Sequence, residues 1–302
     1  MQDPRELYDV HVDLPADAIG ADVLVLALGN LIDAGNVQNL LTQHLLGEFE
    51  HSVIASFDLD QLYDYRGRRP VMTFDRDHYE SYQAPRLVLY RLVDATGTPF
   101  LLMSGPEPDY QWERFTAAVE TVVDRFGIRL VVGAHGVPMG VPHTRPVGIT
   151  RYASDSRLLG ENNPLFGLIQ IPGSVEGLLH LRLAEKGHDT MGFALHVPHY
   201  LVQTDFADAA VAALEAISSS TGLVLPDAAL RATAGLNRAE IERQVRDNEE
   251  VGELVSGLEQ QYDAFTEGVR RQNLLATQLE DLPSAEEIGA ELEEFLREET
   301  GD

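Results

Sequence analysis

IRLVVGAHGVPMGVPHTRPV, residues 128–147, joins an apolar run to a stiff polar loop, and that junction decides the fold class. Residues 128–132 read as a short buried strand. From Gly133 onward Gly133, Gly136 and Gly140 permit tight turns, while Pro138, Pro142 and Pro146 each remove a donor and restrain the preceding residue. Such a loop has little conformational freedom left to lose on binding. In an open α/β sheet the carboxyl ends of the strands face the ligand crevice, so a rigid loop carrying His135, His143 and Arg145 is a candidate ligand wall. Arg145 offers a planar fork for a carboxylate or phosphate. Either histidine can donate to an anion or move a proton near neutral pH. The competing reading is structural: Arg145 pairs with an internal acid and the histidines satisfy backbone carbonyls.

Working outward, strand and helix patterns alternate. VLVLAL (23–28) and SVIASF (52–57) read as strands, with the turn GNLIDAGN (29–36) and the helix VQNLLTQHLL (37–46) between them. The stretch from Asp58 to Arg86 has no clear period and reads as a long binding loop. RLVLYRLVD and PFLLMSG form a predicted hairpin across ATGT. Residues 109–127 read as a helix capped by Asp109 and ended by Gly127. GLIQIPG (167–173) reads as a strand. A helix follows, capped by Ser174 and closed by Gly187; then come the strand MGFALHVP and a helix over 204–222 capped by Thr204. The alternation predicts an α/β domain, a mixed sheet flanked by helices, over residues 1–222. The remainder, 223–302, contains no strand pattern and predicts three or four amphipathic helices. Asn237 with Glu240, and Ser284 with Glu287, have capping-box spacing.

Composition limits the function. The chain has 302 residues and a formal charge of −27, which argues against nucleic acid or an anionic membrane as partner. From Pro226 onward acids outnumber bases by 20 to 7, so the C-terminal helices offer either a solvated face or a docking surface for a basic partner. No apolar run approaches a membrane span, and the N-terminus lacks signal-peptide blocks, so a cytoplasmic protein is expected. Cysteine is absent, which removes disulfides, thiol nucleophiles and thiolate metal sites.

Two more loops join the candidate site. GNLIDAGN offers Asp33 and Asn36; Asn36 suits the N-cap of the next helix, and Asp33 is placed to accept from Arg145 or to orient a histidine. PGS (172–174) puts Ser174 at a helix start, where free amides favour an anion. His196 and His199 form an H-x-x-H at a strand end, but no third ligand stands at a known spacing, so no metal is expected. No P-loop, GxGxxG, HExxH or GxSxG is present, and neither a cofactor nor a catalytic nucleophile is indicated.

The turn GNLIDAGN, the segment GAHGVPMGVPHTRPV, IQIPGSVEGLL and FALHVPHYLVQTDFADAA occur in that order. Together they resemble the proteasome assembly chaperone 2 family in its actinobacterial branch, over about residues 20–265. The resemblance implies a sheet similar to the phosphorylase/hydrolase fold of purine nucleoside phosphorylases. It also implies a binding protein more than an enzyme, and homo-oligomers, with a trimer as the guess. Relatives that dock into proteasome pockets often end in hydrophobic–Tyr–any residue; this sequence ends Thr300-Gly301-Asp302, so that mode of docking is not implied. Two functions follow as expectations: a non-enzymatic interaction or assembly protein, and a small-molecule binder or hydrolase/phosphorylase-like enzyme acting on an anionic or nucleoside ligand at residues 133–146.

Overall fold

The computed structural model describes residues 2–11, 19–29, 33–160 and 167–280, with side chains as far as 268. Its first half contains β1 (Tyr8–Val10), β2 (Val23–Gly29), α1 (Val37–Glu48), β3 (His51–Phe57), β4 (Met72–Asp75), β5 (His78–Tyr82), β6 (Val88–Val93), β7 (Pro99–Pro106) and α2 (Trp112–Phe126). There follow β8 (Leu130–Met139), β9 (Ile149–Ala153), α3 (Val175–Glu185), β10 (Asp189–Pro198), α4 (Ala207–Thr221), α5 (Ala228–Arg246) and α6 (Glu249–Glu280). The chain divides into two compact units, Met1–Glu249 and Glu250–Asp302. The first holds every described strand; the second, among the described residues, is the body of α6.

Eight strands form one mixed sheet in the order β1-β3-β6-β7-β2-β8-β10-β9. The four central strands, β7, β2, β8 and β10, run parallel, and antiparallel strands flank them on both sides. Alternation along β2 splits the core in two. Val23, Val25 and Ala27 meet α1 and α4 on one face, while Leu24, Leu26 and Leu28 meet α2 and α3 on the other. Strands buried on both faces read as continuous apolar runs, and VLVLAL is one. α5 also packs on α4, with Leu230, Ala234 and Ile241 joining the first core.

Several expectations need correction. The loop read from Gly133 is strand as far as Met139: β8 stays parallel to β10 through Pro138↔Val197 and Met139↔Pro198. Beyond Gly133, β8 has no ladder with β2, because that pairing ends at Leu26↔Gly133. An edge of this kind tolerates a proline. GLIQIPG is irregular and exposed, because the edge of β10 it would occupy is taken by β9, which the sequence reading missed. The long loop 58–86 contains the separate two-stranded hairpin β4–β5. Asp109 does not cap α2; its Oδ2 accepts from Asp64 N at 2.6 Å and Arg68 Nε at 3.2 Å. Thr204 does not cap α4. Asn237, inside α5 and not at a helix start, accepts from Ala207 N at 3.2 Å and donates to Asp205 O at 2.7 Å, so it closes α4 from a distance. The helix ends at Gly127 and Gly222 are as expected, both in the left-handed conformation. The Ser284–Glu287 box, the helix after Pro283 and the middle of the 29–36 turn lie outside the described residues.

Candidate functional site

The neighbouring parallel strands β2 and β7 send their next helices, α1 and α2, to opposite faces of the sheet. That divergence is a topological switch point, where an open sheet leaves a crevice at its carboxyl edge. A cleft of about 430 Å³ lies there, lined by Asp33, Asn36, Gln38, Thr42 and Ser104 among others.

Behind Asp33 and Gln38 lies a buried polar cluster. α3 starts at Ser174, whose Oγ accepts from Gly177 N at 3.0 Å. This cap aims Glu176 and, one turn on, His180 at the sheet. Glu176 is 1% exposed, and its Oε2 accepts from Gln38 Nε2 at 2.7 Å. Its Oε1 stands 3.4 Å from His135 Nδ1 and 4.0 Å from His180 Nε2, which are ion-pair distances without the alignment of a hydrogen bond. Gly133 makes room for the group: a Cβ there would lie 2.2 Å from Glu176 Oε1 and 3.1 Å from His180 Nε2. Tyr152 of β9 closes the side, its ring edge-on to His180 at 5.2 Å. His135 Nδ1, Glu176 Oε1 and both ring nitrogens of His180 are buried without a hydrogen-bond partner within the protein. Such atoms are rare in native structures.

Asp33 links the cluster to the cleft. Its Oδ1 accepts from Gly136 N at 3.1 Å and its Oδ2 from Gln38 N at 2.8 Å. Gly136 is free to donate because the ladder of β8 with β2 ends at Gly133. Burial pushes the Asp33 carboxyl up to about 6, against the pull of those two amides. Burial also works to raise the Glu176 carboxyl, but the pairing with His135 outweighs it and leaves Glu176 below its ordinary value. The same pairing overcomes burial at His135 and raises that imidazole. Burial lowers His180, so a neutral ring faces an ionised carboxylate. Burial, with the Glu176 charge, drives the Tyr152 phenol well up.

The six candidates therefore separate. Asp33 and His135 belong to this cluster, and Ser174 serves it by capping α3. Asn36 borders the cleft, but its amide donates to Asp205 Oδ1 at 2.8 Å. His143 and Arg145 line a different cleft, of about 580 Å³, between the 143–147 segment and helices α4 and α5. There His143 Nδ1 meets Tyr200 Oη at 2.8 Å, and Arg238 and Arg231 pair with Asp208 and Glu215. Asp33 thus takes backbone amides where Arg145 was one expected partner. Glu176, His180 and Gln38 were missed. The signal was present: Glu176 and His180 stand at i and i+4 on the same helix side as Val175, Leu179 and Leu183. His196 is tied to Thr150 Oγ1 at 2.8 Å. Among the described residues only Glu120, Asp124 and His188 set three ligand-type atoms within 4.8 Å of one another.

The model of the PAC2 family matches residues 27–245, most of the chain and all of the site just described. The chain belongs to the PAC2 family. A Mycobacterium tuberculosis protein of unknown function is 43% identical, with a TM-score of 0.85, over 89% of this chain and 92% of its own. A Corynebacterium glutamicum protein of unknown function is 34% identical, TM-score 0.80, over 85% and 97%. A second Mycobacterium tuberculosis structure, described as a proteasome-assembly chaperone homologue, is 25% identical, TM-score 0.68, over 77% and 99%. A search of the curated proteins finds no match. The large mixed sheet flanked by helices is the fold these PAC2 proteins share. Among the described residues no helix is long and apolar enough to cross a membrane.

Proposed function

We propose that this PAC2 protein is a non-enzymatic, assembly-chaperone-like interaction protein that binds a partner chain through the hairpin β4–β5. One observation carries the reading. Val71, Met72, Phe74, Tyr79 and Tyr82 are 59%, 51%, 57%, 70% and 49% exposed within twelve residues. Among the described residues the two strands pair only with each other. A lone two-stranded hairpin is marginal in water, and clustered exposed aromatics mark contact surfaces. The relative described as a proteasome-assembly chaperone homologue supports the same class of role. A cytoplasmic setting, homo-oligomers, and the acidic C-terminal helices as a second contact surface belong to this proposal. The test is affinity capture with wild type and with Phe74→Ser/Tyr79→Ser. The double variant is expected to keep its melting temperature and lose the captured partners; an unchanged partner set refutes the reading.

A second reading rests on the unpaired buried atoms of His135, Glu176 and His180. In it the crevice of a phosphorylase/hydrolase-like sheet takes a small polar ligand. A thermal-shift panel of nucleosides, phosphate and small carboxylates tests it. A shift present in wild type and absent in Asp33→Asn supports the ligand; a flat panel removes it.

A further inference from the structure

The cleft beside the inner cluster has a definite chemical bias. Among the described residues its lining holds no lysine, arginine or histidine; Asp33 is its one charged group, and Asn36, Gln38, Asn39, Thr42 and Ser104 supply the other polar side chains. The sequence of the 29–36 turn adds no further charge. Two of the three side-chain amides are committed as donors elsewhere: Gln38 Nε2 donates to Glu176 at 2.7 Å and Asn36 Nδ2 to Asp205 at 2.8 Å. Thr42 Oγ1 and Ser104 Oγ stand 3.2 Å apart, one donating to the other, so the pair has a single proton to give and several lone pairs to accept with. Asp33 takes one amide on each oxygen, and a carboxylate has about four lone-pair sites, so each oxygen can accept again. The lining is therefore rich in acceptors and poor in donors. The free amides at the start of α1 would ordinarily favour an anion, but Asp33 already holds that place through Gln38 N. A second anion would meet the Asp33 carboxylate at close range, with ionised Glu176 behind it, in a chain of charge −27.

We infer that this cleft binds a small organic cation, a primary amine whose ammonium sits on the Asp33 carboxylate and whose second polar end meets the Thr42–Ser104 hydroxyls. An ammonium has three donors and no acceptor, which is the complement of this lining. A volume of about 430 Å³ suits an organic guest, and Ala27 and Pro106 give a short alkyl body an apolar wall. The inference goes beyond the partner-chain role and does not depend on it. It differs from the crevice reading above in the charge of the ligand, which here is positive.

The test is isothermal titration calorimetry of the whole chain with ethanolamine and with putrescine. Ionic strength is held fixed, because so acidic a chain attracts any cation weakly. Butanediol is the uncharged control, phosphate and acetate are the anionic ones, and Asp9→Asn removes an exposed acid outside the cleft. The expected result is one saturable site for an amine, weakened roughly tenfold or more in Asp33→Asn and unchanged in Asp9→Asn. A pH profile of the wild type adds a readout that needs no variant, so it decides even where Asp33→Asn fails to fold. Burial lifts the Asp33 carboxyl to about 6, with His135 and Glu176 the titratable groups that face it. Only the ionised carboxylate holds an ammonium, so affinity is expected to fall about fourfold from pH 7.5 to pH 5.5. No saturable heat from either amine, an equal loss in both variants, or a flat pH profile overturns the inference. Binding of phosphate or acetate that depends on Asp33 also overturns it, by returning the cleft to an anion. Capture through Phe74 and Tyr79 is a separate experiment, so either result stands without the other.

Discussion

Replacing Glu176 with alanine removes the charge around which the inner cluster is built. In the native chain Glu176 Oε2 takes the Gln38 amide at 2.7 Å, and Oε1 faces His135 at 3.4 Å. Glu176 is 1% exposed, so no water replaces these partners cheaply. The variant leaves the Gln38 donor unpaired, at about 1–3 kcal/mol. It also leaves His135 buried without the carboxylate that favours its charged form. Breaking a buried pair this way costs about 3–5 kcal/mol; the two losses overlap, so the whole effect is expected near 4 kcal/mol. For a unit of this size that lowers Tm by roughly 8–15 °C. Glu176→Gln keeps an acceptor for Gln38 and is expected to lose about half as much. Trp112 is the only tryptophan and its indole donates to Pro108 O at 2.7 Å, so its fluorescence follows the sheet-bearing unit. The assay is urea unfolding at pH 7, at 0.1 M and 1 M salt. A buried pair is screened little, so the loss should be nearly the same at both. A loss under about 1 kcal/mol, or one abolished by salt, refutes the buried-pair argument.

Two other changes follow from single contacts. Asp33 has its carboxyl raised from 3.8 to about 6, so between those values the native state binds more protons than the unfolded state. Its contribution is therefore present at low pH and is lost as pH rises through that window, by about 2–3 kcal/mol. Asp33→Asn is expected to flatten that part of the stability–pH curve, as measured by urea midpoints from pH 4 to 8; an unchanged slope contradicts the shift. Asn237→Ala removes the acceptor for Ala207 N and the donor to Asp205 O. It is expected to lower stability by about 1 kcal/mol, the usual weight of a lost cap, whereas Asn237→Asp should recover part of it.

The sheet was legible because β2 and the first half of β8 are uniform apolar runs bounded by turn residues, and helix ends at Gly127 and Gly222 follow from the left-handed backbone they require. Failures came where partners distant in sequence decide the outcome. The glycines and prolines from Gly133 read as a loop, yet β8 continues to Met139 because β10 pairs with it throughout, although its ladder with β2 ends at Gly133. GLIQIPG has strand composition, but strand formation needs a free edge, and Ile149–Ala153 occupies it. Asn237 and Glu240 have the spacing of a cap, while Asn237 caps a different helix thirty residues away. Asp33 and His135, singled out from their loops, both fall in the inner cluster. Glu176 was hidden because an acid on the core side of a helix is rare and shows its purpose only beside His135 and Gln38, on two other elements. His143 and Arg145 share a loop with His135 in sequence, but the extension of β8 to Met139 carries them to another cleft.

Hydrogen exchange over residues 71–82 tests the central claim, that β4–β5 is a docking surface, most directly. Its amides in the wild type at high protein concentration, with any captured partner, are compared with those of Phe74→Ser/Tyr79→Ser and of the diluted chain. The account predicts slow exchange in the first sample and exchange within seconds in the other two, while β2 and β8 stay protected throughout. Equal, fast exchange over the hairpin in all three samples contradicts it.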